Sequence, residues 1–336
     1  MLENENTIQE FDCVNGQIPE QIIDAVKPLV LRGLVASWPL RMLGLESRQK
    51  VTHYLLQHYQ GRPVNVAMGG PEIAGRVFYN EDFSGFNYQS VKMDLAAMLA
   101  KIEQCSQQPN PETVYMASTN VDQWLPGLRE TNDISIPGVD PLVSIWMGNQ
   151  TRIGAHYDMP DNIACSVVGR RQFTLFPPEQ IVNLYPGPID LAPGGQAISL
   201  VDFHNPDYKK HPNFRVAQDV ALVVNLEPGD AIYIPSMWWH HVASFEDLNI
   251  LVNYWWRQTP AYMGTPMHTI QHALLTLKSL PVEQRRAWRE VFNYYIFDQT
   301  PETHAHIPEK GLGMLGEMDE NLARQLRALM INQLNR

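Results

Sequence analysis

The spacing of hydrophobic and polar positions changes twice along the chain, near residue 110 and again near residue 260. Between these points, short runs of apolar and β-branched residues alternate with turn-forming groups such as Pro193-Gly194-Gly195 and Pro228-Gly229-Asp230. The runs are Thr113–Ser118, Leu142–Met147, Ile163–Val168, Gln172–Phe176, Ala221–Leu226, Ala231–Ile234 and Asn249–Trp256. Many short strands without long helices between them predict a sandwich, jelly roll or barrel over residues 111–260.

Both flanks of this β-rich region are predicted to contain helices. Residues 1–110 indicate a mixed α/β segment that packs on the barrel, with a strand at Leu29–Leu34. Residues 261–336 have apolar positions three and four residues apart, as amphipathic helices do. This C-terminal helical region either packs on the barrel or pairs with a second subunit. The helical patterns lie at Glu20–Val26, Ser47–Tyr59, Met93–Ile102, Met267–Leu280, Val282–Phe297 and Glu317–Gln333.

Composition and charge narrow the classes of partner. The chain has 336 residues, 44% of them hydrophobic, and a net charge of −11. This charge argues against nucleic acid or an anionic membrane as a partner, because both are bound by clustered Lys and Arg. The three cysteines, Cys13, Cys105 and Cys165, lie far apart without a CxxC pattern, which favours a reducing compartment. With an acidic N-terminus that lacks an apolar core of a signal peptide, we expect a cytoplasmic protein.

The residues suited to chemistry lie in two segments. In Gly154-Ala155-His156-Tyr157-Asp158, residues two apart on a strand point the same way, so His156 and Asp158 project together. Far downstream, Trp238-Trp239-His240-His241 offers a third ligand, although strand alternation does not choose between the two histidines. Two imidazoles and one carboxylate leave positions open on a metal, as in non-haem iron(II) oxygenases. A lone His-x-Asp triplet is more often a surface or satisfied polar feature.

A resemblance makes this site more specific. Residues from about Trp146 to Trp256 resemble the cupin-like branch of the JmjC oxygenases, and in particular its asparaginyl hydroxylase. Weaker similarity extends back through Tyr115 to the strand at Leu29–Leu34. The resemblance implies a mainly β fold with flanking helices, a double-stranded β-helix (cupin or jelly-roll barrel). The matching segments, in order, are GNQT, AHYD, FTLFPPEQ, NLYPGP, VDFHNPDY, PNF, EPGDAIYIP, WWHHV and VNYWW.

The resemblance also implies a role for individual residues. It assigns iron(II) to His156, Asp158 and His240, which leaves His241 a supporting or packing role. It places Arg171, where the family has a lysine, against the distal carboxylate of the co-substrate 2-oxoglutarate. Strand parity supports this independently, because Arg171 shares one face with the apolar Phe173 and Leu175.

The remaining co-substrate positions are implied by the same resemblance. Tyr115, Asn162 and Asn253 match residues that contact or flank 2-oxoglutarate. Thr151 matches a family threonine imperfectly, because two extra residues separate it from the ligand histidine. The aromatic residues near the site are interpreted as barrel core that keeps the interior dry. They are Trp238, Trp239, Tyr254, Trp255 and Trp256.

The resemblance implies an Fe(II)- and 2-oxoglutarate-dependent dioxygenase that uses O2 to hydroxylate an unactivated C–H bond and releases succinate and CO2. The expected substrate is a protein or peptide side chain, and the expected assembly is a homodimer. Residues 195–200 replace a polar, arginine-containing stretch of the asparaginyl hydroxylase, so the same specificity is not implied. A small-molecule substrate, a cupin metalloprotein of non-oxidative chemistry, and a non-catalytic binding or sensor protein are the alternatives.

Overall fold

The computed structural model of the protein describes residues 6–13 and 16–335. Its contacts divide the chain into two compact units, one up to Arg257 and one from Gln258 onwards. The strands are β1 Gln9–Asp12, β2 Leu29–Arg32, β3 Val64–Gly69, β4 Arg76–Val77, β5 Gln89–Met93, β6 Thr113–Asn120, β7 Leu142–Gly148, β8 Arg152–Tyr157, β9 Asp161–Val168, β10 Arg171–Phe176, β11 Leu222–Leu226, β12 Ala231–Ile234, β13 Trp239–Ser244 and β14 Asn249–Trp256. The helices are α1 Pro39–Glu46, α2 Arg48–His58, α3 Leu95–Cys105, α4 Val121–Trp124, α5 Phe214–Asp219, α6 Met267–Thr276, α7 Val282–Phe292 and α8 Glu320–Leu334.

Two sheets build the first unit. Over the described residues, one sheet has nine strands in the order β1-β2-β12-β9-β14-β7-β6-β3-β5, and the other has five in the order β11-β10-β13-β8-β4. Side chains from both sheets meet in one apolar cluster, where Ala164 and Ile232 of the larger sheet join Phe173 and Val224 of the smaller. From β7 to β14 the chain crosses repeatedly between the two facing sheets, which confirms the predicted jelly-roll barrel with flanking helices.

The sheets draw on more of the chain than the β-rich region alone. Strands β2 and β3, from the N-terminal 110 residues, pair within the nine-stranded sheet. Strand β9 is buried along its whole length, because β12 and β14 flank it within the sheet and both of its faces are covered.

Local sequence signals explain where the helices begin. The Ser47 hydroxyl caps α2 by accepting from the Lys50 N–H, and the Asp94 carboxylate caps α3 by accepting from the Ala96 N–H at 2.8 Å. The predicted helix at Glu20–Val26 is wrong, since only a 3-10 turn forms at Glu20–Ile22. Proline residues on either side, at 19 and 28, leave too few residues for a stable helix.

The second unit contains α6, α7 and α8, with a π-helical turn at Asn293–Phe297 directly after α7. The three predicted C-terminal helices are confirmed, although α6 ends four residues before the predicted end at Leu280. Across the described chain, no helix combines the length and apolar character needed to cross a bilayer.

Candidate metal centre

Strands β8 and β13 run antiparallel and place His156 directly opposite His240. The centroids of the two imidazole rings are 4.4 Å apart. The next paired residues are Ile153 and Val242. Two residues separate Ile153 from His156 on β8, but only one separates His240 from Val242 on β13. This β-bulge keeps Ile153 and His156 on the same inner face, although they are three positions apart and would point to opposite faces of a regular strand. The bulge lies between Thr151 and His156, where this sequence has two residues more than the family that it resembles.

Hydrogen bonds at Nδ1 orient both imidazoles. Nδ1 of His156 lies 2.9 Å from the Gly154 carbonyl oxygen, and Nδ1 of His240 lies 3.0 Å from the Trp238 carbonyl oxygen. A carbonyl oxygen only accepts, so each Nδ1 carries the proton and each Nε2 keeps a free lone pair. Burial lowers the pKa of His240 well below its usual range, and His156 lowers it further. The neutral imidazole is the form that binds a metal.

Asp158 completes the group just beyond the end of β8. Its Oδ2 lies 3.7 Å from Nε2 of His240, and the ligand atoms of His156, Asp158 and His240 all lie within 4.8 Å of one another. The same oxygen accepts hydrogen bonds from Nε1 of Trp255 at 3.2 Å and from Nδ2 of Asn162 at 3.5 Å. This donor set of two imidazoles and one carboxylate fits a divalent iron.

Arg171 lies in the same cavity, at the start of β10. It is 5% exposed, and its guanidinium donates to the Ile250 carbonyl oxygen at 2.9 Å. Within the described chain, no carboxylate forms an ion pair with it. Burial lowers its pKa to about 10. The neighbouring Arg170 is exposed and pairs with Glu246 at 2.8 Å, so the structure gives the two arginines the orientations that strand parity predicts.

The other predicted co-substrate residues also line this cavity. The Tyr115 ring stacks on that of Trp146 at 6.3 Å, and burial raises the pKa of its hydroxyl. Trp146 donates through Nε1 to Asn253 at 2.7 Å, and Asn253 donates to Oδ1 of Asn162 at 3.3 Å. Since Asn162 in turn donates to the metal-site carboxylate, a chain of hydrogen bonds links the indole of Trp146 to the candidate metal ligands. Thr151 is buried, with its hydroxyl 2.8 Å from that of Ser244.

His241 lies on the opposite face of β13 from His240. Its ring packs against Phe203 with centroids 4.9 Å apart, in a separate small pocket. Burial lowers its pKa to about 3, with a further contribution from Arg152. The structure therefore resolves the choice that strand alternation leaves open, because only His240 is brought beside His156 and Asp158.

Two aromatic residues belong to the site rather than to the core. Trp238, Trp239, Tyr254 and Trp256 are buried as predicted, but Trp255 lines the cavity and holds the metal-site carboxylate. Trp146 lines it as well, with its ring edge-on to Trp255 at 5.8 Å. The sequence could have identified Trp255 as a cavity residue, because it lies two residues after Asn253 and residues two apart on β14 share a face.

The cavity that contains these groups has a volume of about 420 Å³. Both sheets line it, and the loop between β10 and α5 contributes Pro193, Gly194, Gln196 and Ile198. Its size lies within the roughly 300–1,000 Å³ of small-ligand sites. The cavity can therefore accommodate a small ligand beside the candidate metal ligands.

Comparisons with known proteins identify the family of the chain. The model of the cupin-like domain family matches residues 16–262. The chain is 35% identical over 130 residues to lysine-specific demethylase JMJ31 of Arabidopsis thaliana, covering 38% of this chain and 22% of that protein. It is 31% identical over 149 residues to tRNA wybutosine-synthesizing protein 5 of Gallus gallus, covering 40% and 44%. It is 32% identical over 162 residues to JmjC domain-containing protein D of Dictyostelium discoideum, covering 43% and 35%. The chain thus spans less than half the length of each of these relatives.

Proposed function

The chain belongs to the cupin-like JmjC family of 2-oxoglutarate-type oxygenases, and on that basis we propose that it is itself an iron(II)- and 2-oxoglutarate-dependent dioxygenase. One observation carries the proposal. The ligand atoms of His156, Asp158 and His240 converge in a cavity that also contains a buried arginine without a carboxylate partner in the described chain. The first group can bind a metal and the second an anion, and this chemistry requires both.

The metal would be held by Nε2 of His156, Nε2 of His240 and the carboxylate of Asp158. When bound, iron with 2-oxoglutarate and O2 supplies the oxidative decarboxylation to succinate and CO2 and the oxygen atom for a C–H bond. The protein fixes the two imidazoles through their Nδ1–H groups and orients the carboxylate through Trp255 and Asn162. Such supporting hydrogen bonds make the ligand set rigid before the metal binds.

Arg171 is proposed to bind the distal carboxylate of 2-oxoglutarate. Strands β10 and β13 pair Arg171 with Ser244 and Leu175 with His240, so the cation and the metal ligand are four residues apart along the strands. At about 3.3 Å per residue this is roughly 13 Å, a distance that an arginine side chain and a short dicarboxylate can span together. Val242, which lies between them, offers an apolar wall for the methylene groups.

The remaining lining residues support the same co-substrate. Tyr115 and Thr151 place hydroxyl groups on the cavity wall, and we propose that they contact 2-oxoglutarate. Asn162 and Asn253 are occupied with each other and with the metal-site carboxylate, so their proposed role is to position that carboxylate.

Succinate formation that requires both Fe(II) and 2-oxoglutarate tests the proposal. His156→Ala, Asp158→Ala and His240→Ala should each lose metal affinity and turnover, because two remaining ligands hold the metal poorly. His241→Ala is the matched control and should retain both, since its ring lies on the other face of β13. Metal binding without 2-oxoglutarate turnover would indicate a cupin metalloprotein of non-oxidative chemistry. Absence of both would indicate a binding or sensor protein.

The substrate is proposed to be a side chain in a protein or peptide. The net charge of −11 disfavours a nucleic acid such as the tRNA in the name of one relative. A cytoplasmic location suits the cysteine usage and is part of the proposal. Mass spectrometry of cell proteins with and without the enzyme, searching for the mass of one added oxygen atom, tests the substrate class. Oxygen found only in small metabolites would refute it.

We propose that residues 111–260 form the catalytic core and that the strands of residues 1–110 complete its sheet. Residues 261–336 are proposed to form the contact of a homodimer. Of the described residues beyond Gln258, only Ala323 and His304 are buried. Apolar side chains there, such as Leu274, Val291 and Leu329, are 40% to 43% exposed. Contact between two copies would remove this apolar surface from water. Light scattering should show a dimer at micromolar concentration, and a monomer would refute the assembly.

A further inference from the structure

One wall of the cavity is a fixed isoleucine beside the metal ligands. The backbone N–H of Ser199 donates to the Ala155 carbonyl oxygen at 2.7 Å, which holds this segment alongside β8. Ile198 is 3% exposed and lines the cavity. A Cβ atom on Gly154 would lie 3.1 Å from Cδ1 of Ile198, so the isoleucine fills the space next to this glycine, two residues from His156.

The cavity offers no spare charge to a substrate. Apart from the histidines, the charged residues that line it in the described chain are Asp158 and Arg171, and the proposed metal and co-substrate occupy both. A lysine, a methylated lysine or an arginine would therefore enter without a carboxylate to pair with. Because a buried charge without a partner is strongly unfavourable, such side chains are excluded. A carboxylate side chain would instead compete with the co-substrate for Arg171.

The wall at Ile198 also disfavours a carboxamide. Val77, on β4, is 6% exposed and lines the cavity too, so aliphatic surface extends beyond one residue. The carboxamides of Asn162 and Asn253 already have partners. The side chains of Ile198 and Val77 offer a polar side chain no hydrogen bond to replace those it loses to water, whereas an aliphatic one would be removed from water favourably. Gln196 of the same segment lines the cavity as well, where its carboxamide suits the polar backbone of a polypeptide.

We infer that the side chain presented to the metal is uncharged and aliphatic, of the size of valine, leucine or isoleucine, and that Ile198 is the residue that selects it. The inference rests on the proposed function and specifies the substrate of that same site. The hydroxylation has the balance already given: one oxygen atom of O2 enters the C–H bond as a hydroxyl, and the other enters succinate as 2-oxoglutarate loses CO2.

The test uses the full-length protein with Fe(II), 2-oxoglutarate and isotopically labelled O2, acting on a peptide digest of a whole proteome. Mass spectrometry then shows which residue type acquires the label. We expect valine, leucine and isoleucine to be labelled at least tenfold more often, per residue present, than asparagine, lysine or arginine. Label predominantly on any of those three polar types would overturn the inference.

Variants show whether Ile198 is responsible. Ile198→Gln should reduce labelling of aliphatic residues by roughly 10- to 200-fold, the range by which a pocket contact discriminates. Ile198→Leu should largely retain it. Ile189→Gln is the matched control, because this isoleucine of the same loop is 41% exposed. Calorimetric binding of 2-oxoglutarate with Mn²⁺ in place of iron checks that each variant has an intact site. An unchanged labelling pattern in Ile198→Gln with that site intact would refute the assignment.

The outcomes separate this inference from the proposed function. If the wild-type protein neither binds nor decarboxylates 2-oxoglutarate, the proposed function fails and the inference fails with it. If it decarboxylates 2-oxoglutarate but labels no peptide, the proposed oxygenase chemistry stands, whereas the inference and the proposed peptide substrate are both refuted.

Discussion

Replacing Arg171 with alanine should raise the dissociation constant for 2-oxoglutarate by about two to three and a half powers of ten. The guanidinium is 5% exposed and keeps its proton at neutral pH, because burial lowers its pKa only to about 10. Burial disfavours the charged guanidinium, so keeping Arg171 protonated in the folded protein costs about 3 kcal/mol at any pH below about 10. A carboxylate that binds to Arg171 would offset this cost. Leaving that carboxylate buried without the cation costs about 3–5 kcal/mol, at about 1.4 kcal/mol per factor of ten.

The assay is calorimetric titration of 2-oxoglutarate into protein loaded with Mn²⁺, supported by succinate formation with Fe(II). Arg170→Ala is the matched control and should change the affinity little, because this exposed side chain pairs only with Glu246 at the surface. The 2-oxoglutarate affinity of Arg171→Lys should lie between those of wild type and Arg171→Ala, since lysine keeps the charge but cannot form a bidentate contact with a carboxylate. Metal affinity should remain the same in all three variants. Equal 2-oxoglutarate affinity in Arg171→Ala and wild type would refute the reasoning. Loss in Arg170→Ala instead would show that the strand register is displaced by one residue.

Two further changes test contacts that support the site. Trp255→Phe removes the indole N–H that orients the metal-site carboxylate and should weaken Mn²⁺ binding about tenfold or more. Trp256→Phe, whose indole nitrogen has no hydrogen-bond partner in the described chain, should leave the metal affinity unchanged, and equal effects would contradict the assigned role. Gly169→Ala should lower the free energy of unfolding in urea by about 3 kcal/mol, because φ is +75° and the new Cβ would lie 2.2 Å from Oδ1 of Asn249. Gly61→Ala has a similar φ of +76° but open space, so it should cost only about 1–2 kcal/mol, and an equal cost at the two positions would rule out the steric term.

Strand parity predicted much of the site from sequence. The orientations of Arg170 and Arg171 and the common face of His156 and Asp158 all follow from the two-residue period of a strand. The choice between His240 and His241 did not, because both lie on the same strand and its register depends on a partner far away in the chain. The pairing with β8 decides it.

The bulge in β8 limits what alternation can predict. It shifts the inward face by one residue between Ile153 and His156. Strict alternation from Thr151 would therefore point His156 away from the cavity. The helix α1 was also missed, although Pro39 at its first turn is a typical start signal. Short elements of this kind owe their stability to packing, here of the buried Leu40, rather than to local propensity.

The cross-strand pairing of His156 with His240 has a consequence for how the protein would acquire the proposed metal. Main-chain hydrogen bonds of an antiparallel ladder bring the two imidazoles together, so the metal need not gather distant parts of a flexible chain. Structural zinc domains of the finger type, by contrast, are unfolded until the ion binds. Here the pairing of β8 with β13 places His156 opposite His240 through main-chain contacts. The proposed iron could therefore be lost and replaced without disturbing this strand pairing, which would make metal supply, rather than refolding, the step that limits recovery.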